Sequence, residues 1–355
     1  HREPDCMSPQ GKALVVGATG MIGNRVCERL VENNWQTIGI CRVPPPDTGT
    51  VSYLAVDLLD AADCRARLGA LHDVSHVFYA ARAAHGEGGT ESVPENLAML
   101  QNVVEALTES GSLRHVHIVQ GGKYYGQHLG PYKSPAKEDD PRHMSPNFYY
   151  DQQDYLEAKA GDWTWSVSRP SLVYDFVPGR PRNLVTVIAV YAVVCRALGL
   201  PLSFPGSLEN YHHCLSECAA VPHVAKAIVW MASEARCANQ AFNVTNGDSF
   251  RWEHLWPRIA DYFAMSVGPV RTMSLAAMMA DKMPIWNDIV ATHGLRQTPY
   301  EDMALWAYGD FVFAPTYDIL SDMTKARRYG FHDSLDSEEM FFTIFKRYRD
   351  SRLIP

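Results

Sequence analysis

The sequence predicts an α/β chain, a doubly wound parallel sheet joined to a smaller, mainly helical C-terminal lobe. Three observations carry this. Short apolar runs alternate with amphipathic stretches through the first half, the pattern of β-α units stacked into a parallel sheet with helices on both faces. The first run, Ala13–Val16, enters Gly17, Gly20 and Gly23 and then the amphipathic stretch Asn24–Val31, which reads as strand, tight turn and helix. After Pro170 the alternation gives way to long helical patterns rich in Trp, Met and Tyr.

Taken in order, Ala13–Val16, Thr37–Ile40, Val51–Val56, His76–Tyr79, His115–Val119 and Trp165–Ser168 read as strands. Short apolar runs of this kind suit strands buried on both faces. Asn96–Leu107 reads as a helix between two of them. Leu184–Leu198 is a long apolar helix broken by Gly199 and Pro201. Ala225–Ala232 reads as a sheet-packing helix, Ala241–Val244 returns to strand, and the chain from Trp252 onward is helical. The expected organisation is a tail (1–10, with Met7 the natural start), a dinucleotide-binding domain (11–180, revisited around 215–248) and a mainly substrate-binding lobe (181–355). Trp252, Trp256, Trp286, Trp306, Met278 and Met279 read first as core.

At 355 residues and 46% apolar composition the chain can bury a large core. A net charge of -8 argues against nucleic acid as a partner. No segment approaches the ~20 uninterrupted apolar residues of a membrane span, and His1–Gln10 has no signal-peptide pattern. The eight cysteines are scattered through predicted helices and strands, which suits a reduced, cytoplasmic protein better than a disulfide frame. His212-His213-Cys214 with Cys218 resembles a ligand cluster, but no second pair lies nearby in sequence, so no metal is expected.

The glycine turn is the first functional signal. Gly17 permits the tight turn, Gly20 lets backbone approach a diphosphate, and Gly23 lets the helix sit close to the sheet. The helix N-terminus then offers free N–H groups and a positive dipole end, making Thr19, Met21 and Ile22 candidate cofactor contacts with the three glycines. The sheet is thus expected to be of the Rossmann type. About twenty residues past the turn, where an NAD enzyme usually places Asp or Glu, stands Arg42. A guanidinium suits a 2′-phosphate, so NADPH is favoured; the plain alternative is a solvated arginine at a strand end. Asp57-Leu58 is placed either to meet the adenine or to serve as a simple turn.

The catalytic signal is less regular. Short-chain dehydrogenases pair Tyr and Lys four residues apart on one helix, the lysine lowering the pKa of the proton-donating phenol. Here Asn147-Phe148-Tyr149-Tyr150 is followed by Gln153 and Asp154 at those positions, with no lysine. Instead Gly121-Gly122-Lys123-Tyr124-Tyr125-Gly126 follows the strand His115–Val119, and a lysine at that strand end projects into the nicotinamide cleft. These two segments resemble the progesterone 5β-reductase and iridoid synthase-like enzymes, an atypical branch of the extended short-chain dehydrogenases. The resemblance runs from about Lys12 to Pro355, through Asp73–Tyr79, Leu113–Val116, Thr164–Pro170, Ala241–Asp248, Arg328–Phe331 and the terminal Ile354-Pro355.

The resemblance implies NADPH-dependent hydride addition to the β-carbon of an enone or enal. The catalytic lysine maps onto Lys123 and the tyrosine onto Tyr150, chosen because Glu157 then falls seven residues later; Tyr149 is the runner-up. Tyr150 then donates to the forming enolate oxygen, and Lys123 keeps the local field positive. The resemblance also implies cofactor contacts from Ala81, Gln120, Tyr150, Pro170, Leu172 and Val173, substrate contacts from Tyr149, a structural ion-pair role for Arg169, and a homodimer.

Three departures stand out. Gln120, Gly121 and Gly122 supply no hydroxyl beside the lysine, the loop to Tyr132 is long with Tyr132 in place of a pocket phenylalanine, and Arg82 stands where an aromatic residue is usual. Arg82 either binds a carboxylate or other polar group on the substrate or points to solvent. Competing readings are carbonyl reduction or another reaction of the same two residues, even one without net redox change, and an NADPH-binding sensor without turnover.

Overall fold

A computed structural model describes residues 10–46, 49–86 and 89–355. The expected tail up to Pro9, with Met7 and Cys6, lies outside the described residues. The chain begins with β1 (Lys12–Val16), α1 (Met21–Glu32), β2 (Gln36–Cys41), β3 (Ser52–Ala55), α2 (Ala61–Leu68), β4 (His76–Tyr79), α3 (Val93–Thr108) and β5 (His115–Val119). It continues with α4 (Phe148–Lys159), β6 (Thr164–Pro170), β7 (Val173–Tyr174), α5 (Leu184–Ala197), α6 (Leu208–His212), β8 (Ala219–Ala220), α7 (Val221–Ser233) and β9 (Gln240–Val244). Beyond β9 come α8 (Trp252–Tyr262), α9 (Leu275–Met278), α10 (Met283–His293), α11 (Tyr300–Met303), α12 (Trp306–Phe313), α13 (Thr324–Arg328) and α14 (Ser337–Asp350).

Among the described residues seven strands form one parallel sheet in the order β3-β2-β1-β4-β5-β6-β9. The order reverses between β1 and β4, and open α/β sheets bind their ligands at the carboxyl ends of strands flanking such a point. β1 explains itself: Ala13, Leu14, Val15 and Val16 are all fully buried, because helices cover both faces. On one face α2, α3 and α4 cover Leu14, Val16 and Val77; on the other α1 and α7 cover Ala13, Val15 and Phe78.

Boundaries moved where capping chemistry decided them. The helix expected over Asn96–Leu107 starts at Val93, because Ser92 accepts from the Glu95 N–H and Pro94 suits the first turn. The sheet-packing helix likewise begins at Val221, with Pro222 in its first turn. α5 is buried on all sides, so its apolar sequence is a core helix; α8, α10, α12 and α14 pack round it, burying Trp252, Trp256 and Trp286. Trp306 is only partly buried.

Arg25 on α1 reaches across to Asp175, with Nε 2.6 Å and Nη2 2.9 Å from the two carboxylate oxygens. This bidentate pair joins the glycine-turn helix to the segment that follows β7. Among the described residues no helix is long and apolar enough to cross a membrane.

Candidate active site

Lys123 is set by its turn. β5 ends at Val119, and Gly122–Tyr125 form a single 3₁₀ turn closed by Gly126 at φ +79°. Gly126 has the left-handed conformation that L side chains avoid, and a Cβ there would meet the His143 ring at 2.4 Å. From this turn the Lys123 Nζ reaches Glu91 at 3.2 Å. Asn147 then ties the next helix to this turn: its side-chain oxygen accepts from the Tyr149 N–H at 3.1 Å, and its amide donates to the Lys123 carbonyl at 3.0 Å. One residue thus caps α4 and fixes the tyrosine pair relative to the lysine.

The two tyrosines are placed differently. The Tyr150 hydroxyl donates to the Tyr124 carbonyl at 2.6 Å and accepts from the His143 N–H at 2.9 Å. Arg142 lies over its ring, 5.0 Å from the centroid, and the same arginine pairs with Asp154, the residue standing where a lysine was looked for. Tyr150 is buried in a cluster with Tyr124, Tyr125 and Ala136. Its hydroxyl is thus engaged by two backbone groups, whereas the sequence expectation had it donate to the substrate oxygen. The Tyr149 hydroxyl instead stands over Gly121, 3.5 Å from where a Cβ would sit. Burial holds its pKa above the ordinary phenol value; Glu91 adds to this, while Arg82 and Arg182 oppose it. Tyr149 is therefore a neutral phenol, able to donate, and faces the Glu91 that also pairs with Lys123.

Glu91 organises that field. It accepts from Arg82 at 3.3 Å and lies within ion-pair reach of Lys123 and His85. Burial, with Arg82 next, lowers the His85 pKa; burial, with Lys123 next, lowers that of His128. Arg82 thus turns to Glu91, half exposed at the cleft mouth.

The glycine turn fits a dinucleotide by shape. Gly17 has φ +81°, and a Cβ there would lie 2.9 Å from the Ala81 nitrogen. A Cβ on Gly23 would fall 2.1 Å from the Gly17 carbonyl oxygen. Gly20 caps α1 without a side-chain hydrogen bond, so the first-turn N–H groups of Met21 and Ile22 face outward as an anion cradle. Arg180 crosses to this turn and donates to the Thr19 carbonyl at 3.0 Å. Arg42 is exposed at the end of β2. Asp57 takes the turn role, its carboxylate accepting from the Leu59 N–H at 3.0 Å, while the Leu58 carbonyl accepts from Asn102.

A cavity of about 230 Å³ leads off from the lysine turn. Gln127–Gly130 form one wall, Leu172 and Tyr174 another, and Trp252 with Phe311–Ile319 from the C-terminal part close it. Its lining is mainly apolar, with Gln127, His128, Asn210, Ser216, Glu217 and Thr316 as the polar residues. Burial pushes the Glu217 carboxyl up to about 7, against the N–H and hydroxyl of Ser321, which both donate to it.

Residues 52–355 match the PRISE-like Rossmann-fold domain. The chain belongs to this family. It is 33% identical to (S)-8-oxocitronellyl enol synthase of Catharanthus roseus, covering 99% of this chain and 94% of that protein. It is 31% identical to 3-oxo-Delta(4,5)-steroid 5-beta-reductase of Arabidopsis thaliana, over 97% and 93%. Among solved structures it resembles UDP-glucose 4-epimerase of Thermotoga maritima, with TM-score 0.67 and 18% identity over 96% of this chain and 99% of that one. That likeness speaks for the fold. PRISE-like membership and the curated relatives make the protein an oxidoreductase.

Other expected site residues of this PRISE-like chain have the following surroundings. Gln120 is buried beneath the cleft, donating to the Tyr149 carbonyl and to Gln153, and accepting from Arg169. Arg169 is structural, but its partners are Gln120, Gln153, the Tyr125 hydroxyl and the Glu138 carbonyl, with its guanidinium 3.4 Å from the Tyr124 ring centroid. No ion pair is needed, because these acceptors and the aromatic face satisfy the buried cation. Tyr132 exchanges hydrogen bonds with the Leu320 backbone and packs on Tyr317, one shell behind the cavity wall. Pro170 borders Gly121, and Val173 pairs with Ala219 in the small second sheet. His212 bonds Glu253, and among the described residues no group of three or more potential ligands could hold a metal. Glu91, Arg180, Arg182 and Glu217 were not anticipated: Glu91 and Glu217 stand in loops and the two arginines in the loop before α5, with no motif around any of them.

Proposed function

We propose that this chain is an NADPH-dependent reductase of the activated C=C bond of an enone or enal, with Lys123 and Tyr149 as its catalytic pair. NADPH, when bound across the glycine turn, supplies the hydride. The exposed Arg42 favours its 2′-phosphate, and Met21, Ile22 and Arg180 are the groups for its diphosphate. Ala81, Leu172 and Val173 are proposed to flank the nicotinamide end.

The observation that carries the reading is that Asn147 ties the Lys123 turn to the Tyr149 end of α4, in a chain whose relatives carry reductase and enol synthase names. Hydride addition at a β-carbon pushes charge onto the carbonyl oxygen. Tyr149, held protonated, donates a hydrogen bond to that oxygen and then its proton. Lys123 supplies the nearby positive charge that makes the phenol a better donor, and Glu91 holds the lysine in place. The cavity walled by Gln127–Gly130, Leu172 and Trp252 receives the hydrocarbon part of the substrate. Tyr150 has a supporting role, its hydroxyl bridging the Tyr124 carbonyl and the His143 N–H.

The test is single-turnover reduction of a small enal and a small enone, with the saturated product identified. Tyr149→Phe and Lys123→Met are expected to slow the hydride step by about 10²–10⁴-fold. Tyr150→Phe is expected to keep it within about tenfold while lowering stability by about 1 kcal/mol for the lost buried hydrogen bonds. The reverse ranking of the two tyrosine variants would return the catalytic role to Tyr150.

A further inference from the structure

A buried carboxyl, Glu217, has no part in the proposed reaction. It lines the cavity that leads off from the lysine turn and is 3% exposed. Among the described residues no Lys or Arg lines that cavity, and no cation forms an ion pair with Glu217. The Ser321 N–H donates to its Oε2 at 2.9 Å and the Ser321 hydroxyl to its Oε1 at 2.8 Å. The Ser171 hydroxyl also favours the ionised form. A carboxylate has about four lone-pair sites, so even three donors leave it an acceptor position.

Asn210 is the other deeply buried polar side chain of this lining, also 3% exposed. Its Nδ2 donates to the Phe313 carbonyl at 2.8 Å. A carbonyl only accepts, so the amide has one orientation and Oδ1 is its free end. Among the described residues no donor reaches that oxygen. Both groups therefore offer the cavity acceptors. A ligand end made only of hydrocarbon would strip their water and give no hydrogen bond in return. The cavity also adjoins the reacting end. A Cβ on Gly122 would overlap the Gln127 amide, part of the cavity wall, and Gly121 beside it faces the Tyr149 hydroxyl.

We infer that the substrate carries a hydroxyl at the end remote from its enone or enal, and that Glu217 accepts a hydrogen bond from it inside the cavity. This rests on the reductase reading and narrows its substrate class. A hydroxyl suits the lining better than an ammonium, which would shed its water for one carboxylate among apolar walls.

The test takes a series of ω-hydroxy-2-alkenals of increasing chain length, each against its methyl ether and the unsubstituted 2-alkenal. The expected result is a hydroxyl preference in kcat/KM of about tenfold or more that peaks at one chain length, because Glu217 is fixed relative to Tyr149. Glu217→Gln should cut that preference about tenfold, as for a lost charge-assisted hydrogen bond, and Asn210→Ala should cut it less. In parallel, calorimetry on the NADP⁺ complex should show saturated ω-hydroxy-2-alkanones binding more tightly than the plain 2-alkanones of matching length, with the difference lost in Glu217→Gln. No hydroxyl preference at any length, or a preference that Glu217→Gln leaves unchanged, would overturn the inference. Selective binding of the hydroxyketones without reduction of any enone or enal would keep the hydroxyl site and count against the reductase reading; equal binding of both ketones at every length would remove the site whatever the turnover.

Discussion

Tyr149 and Tyr150 point about 100° apart around α4, and their hydroxyls end in different surroundings. One is held by the Tyr124 carbonyl and the His143 N–H; the other stands over Gly121 in the field of Glu91 and two arginines. A sequence cannot make this choice, because both registers place a phenol on the first turn of a capped helix. The downstream Glu157 suggested Tyr150, but it serves Gln153, which donates to it at 2.8 Å. Lys123 shows in sequence as a lysine after a strand end and two glycines, and its Nζ pairs with Glu91. Glu217 makes a prediction of its own. Its carboxyl titrates near 7 because burial disfavours the charge, so above that pH the cavity wall becomes anionic. The KM for an enone should therefore rise between pH 7 and 8.5, and Glu217→Gln should flatten that rise; a pH-independent KM in the wild type would show that Glu217 does not face the bound substrate.

The glycine turn and α1 show why the cofactor end was legible. Tight backbone approach demands glycine, and the demand shows in sequence as spacing. Gly23→Ala would put a Cβ 2.1 Å from the Gly17 carbonyl oxygen, forcing α1 off the sheet. It should cost about 1–3 kcal/mol of stability and at least tenfold in NADPH affinity, read by urea titration and fluorescence binding. α4 obeys a different logic. Its position depends on Asn147, which serves the helix and the Lys123 carbonyl at once. Asn147→Ala should cost about 1 kcal/mol of stability and lower kcat more than it raises KM, since the lysine loses its register against Tyr149. The loop segments gave no such signal. Glu91 and Arg180 act through the fold's return of distant loops to one cleft, which leaves no local periodicity or spacing to read.

The molecule as a whole hides a row of uncharged histidines in its central sheet. His115 bonds Thr164 and Ser166, and His117 bonds Ser166 and Ser168, from β5 to β6. Burial pushes His76 down to about 4 and His115 to about 3, from an ordinary 6.5. The unfolded chain takes up these protons below pH 6.5 and the folded chain does not, so stability is full above 6.5 and falls as pH drops toward 4. Each histidine contributes up to about 1.4 kcal/mol per pH unit across that window. A urea midpoint that fell no faster below pH 6.5 in the wild type than in His115→Asn would argue against this. The doubly wound parallel sheet was within reach of the alternating pattern, whereas its strand order came only with the structure and the C-terminal helices, apolar on several sides, could be read only as core.

The most direct test of the central claim follows the hydride. With NADPH deuterated at the transferring position and an enal as substrate, the account predicts deuterium on the β-carbon of a saturated aldehyde, with transfer slowed by Tyr149→Phe. Deuterium on a carbinol carbon, with the double bond intact, would contradict it and make the protein a carbonyl reductase.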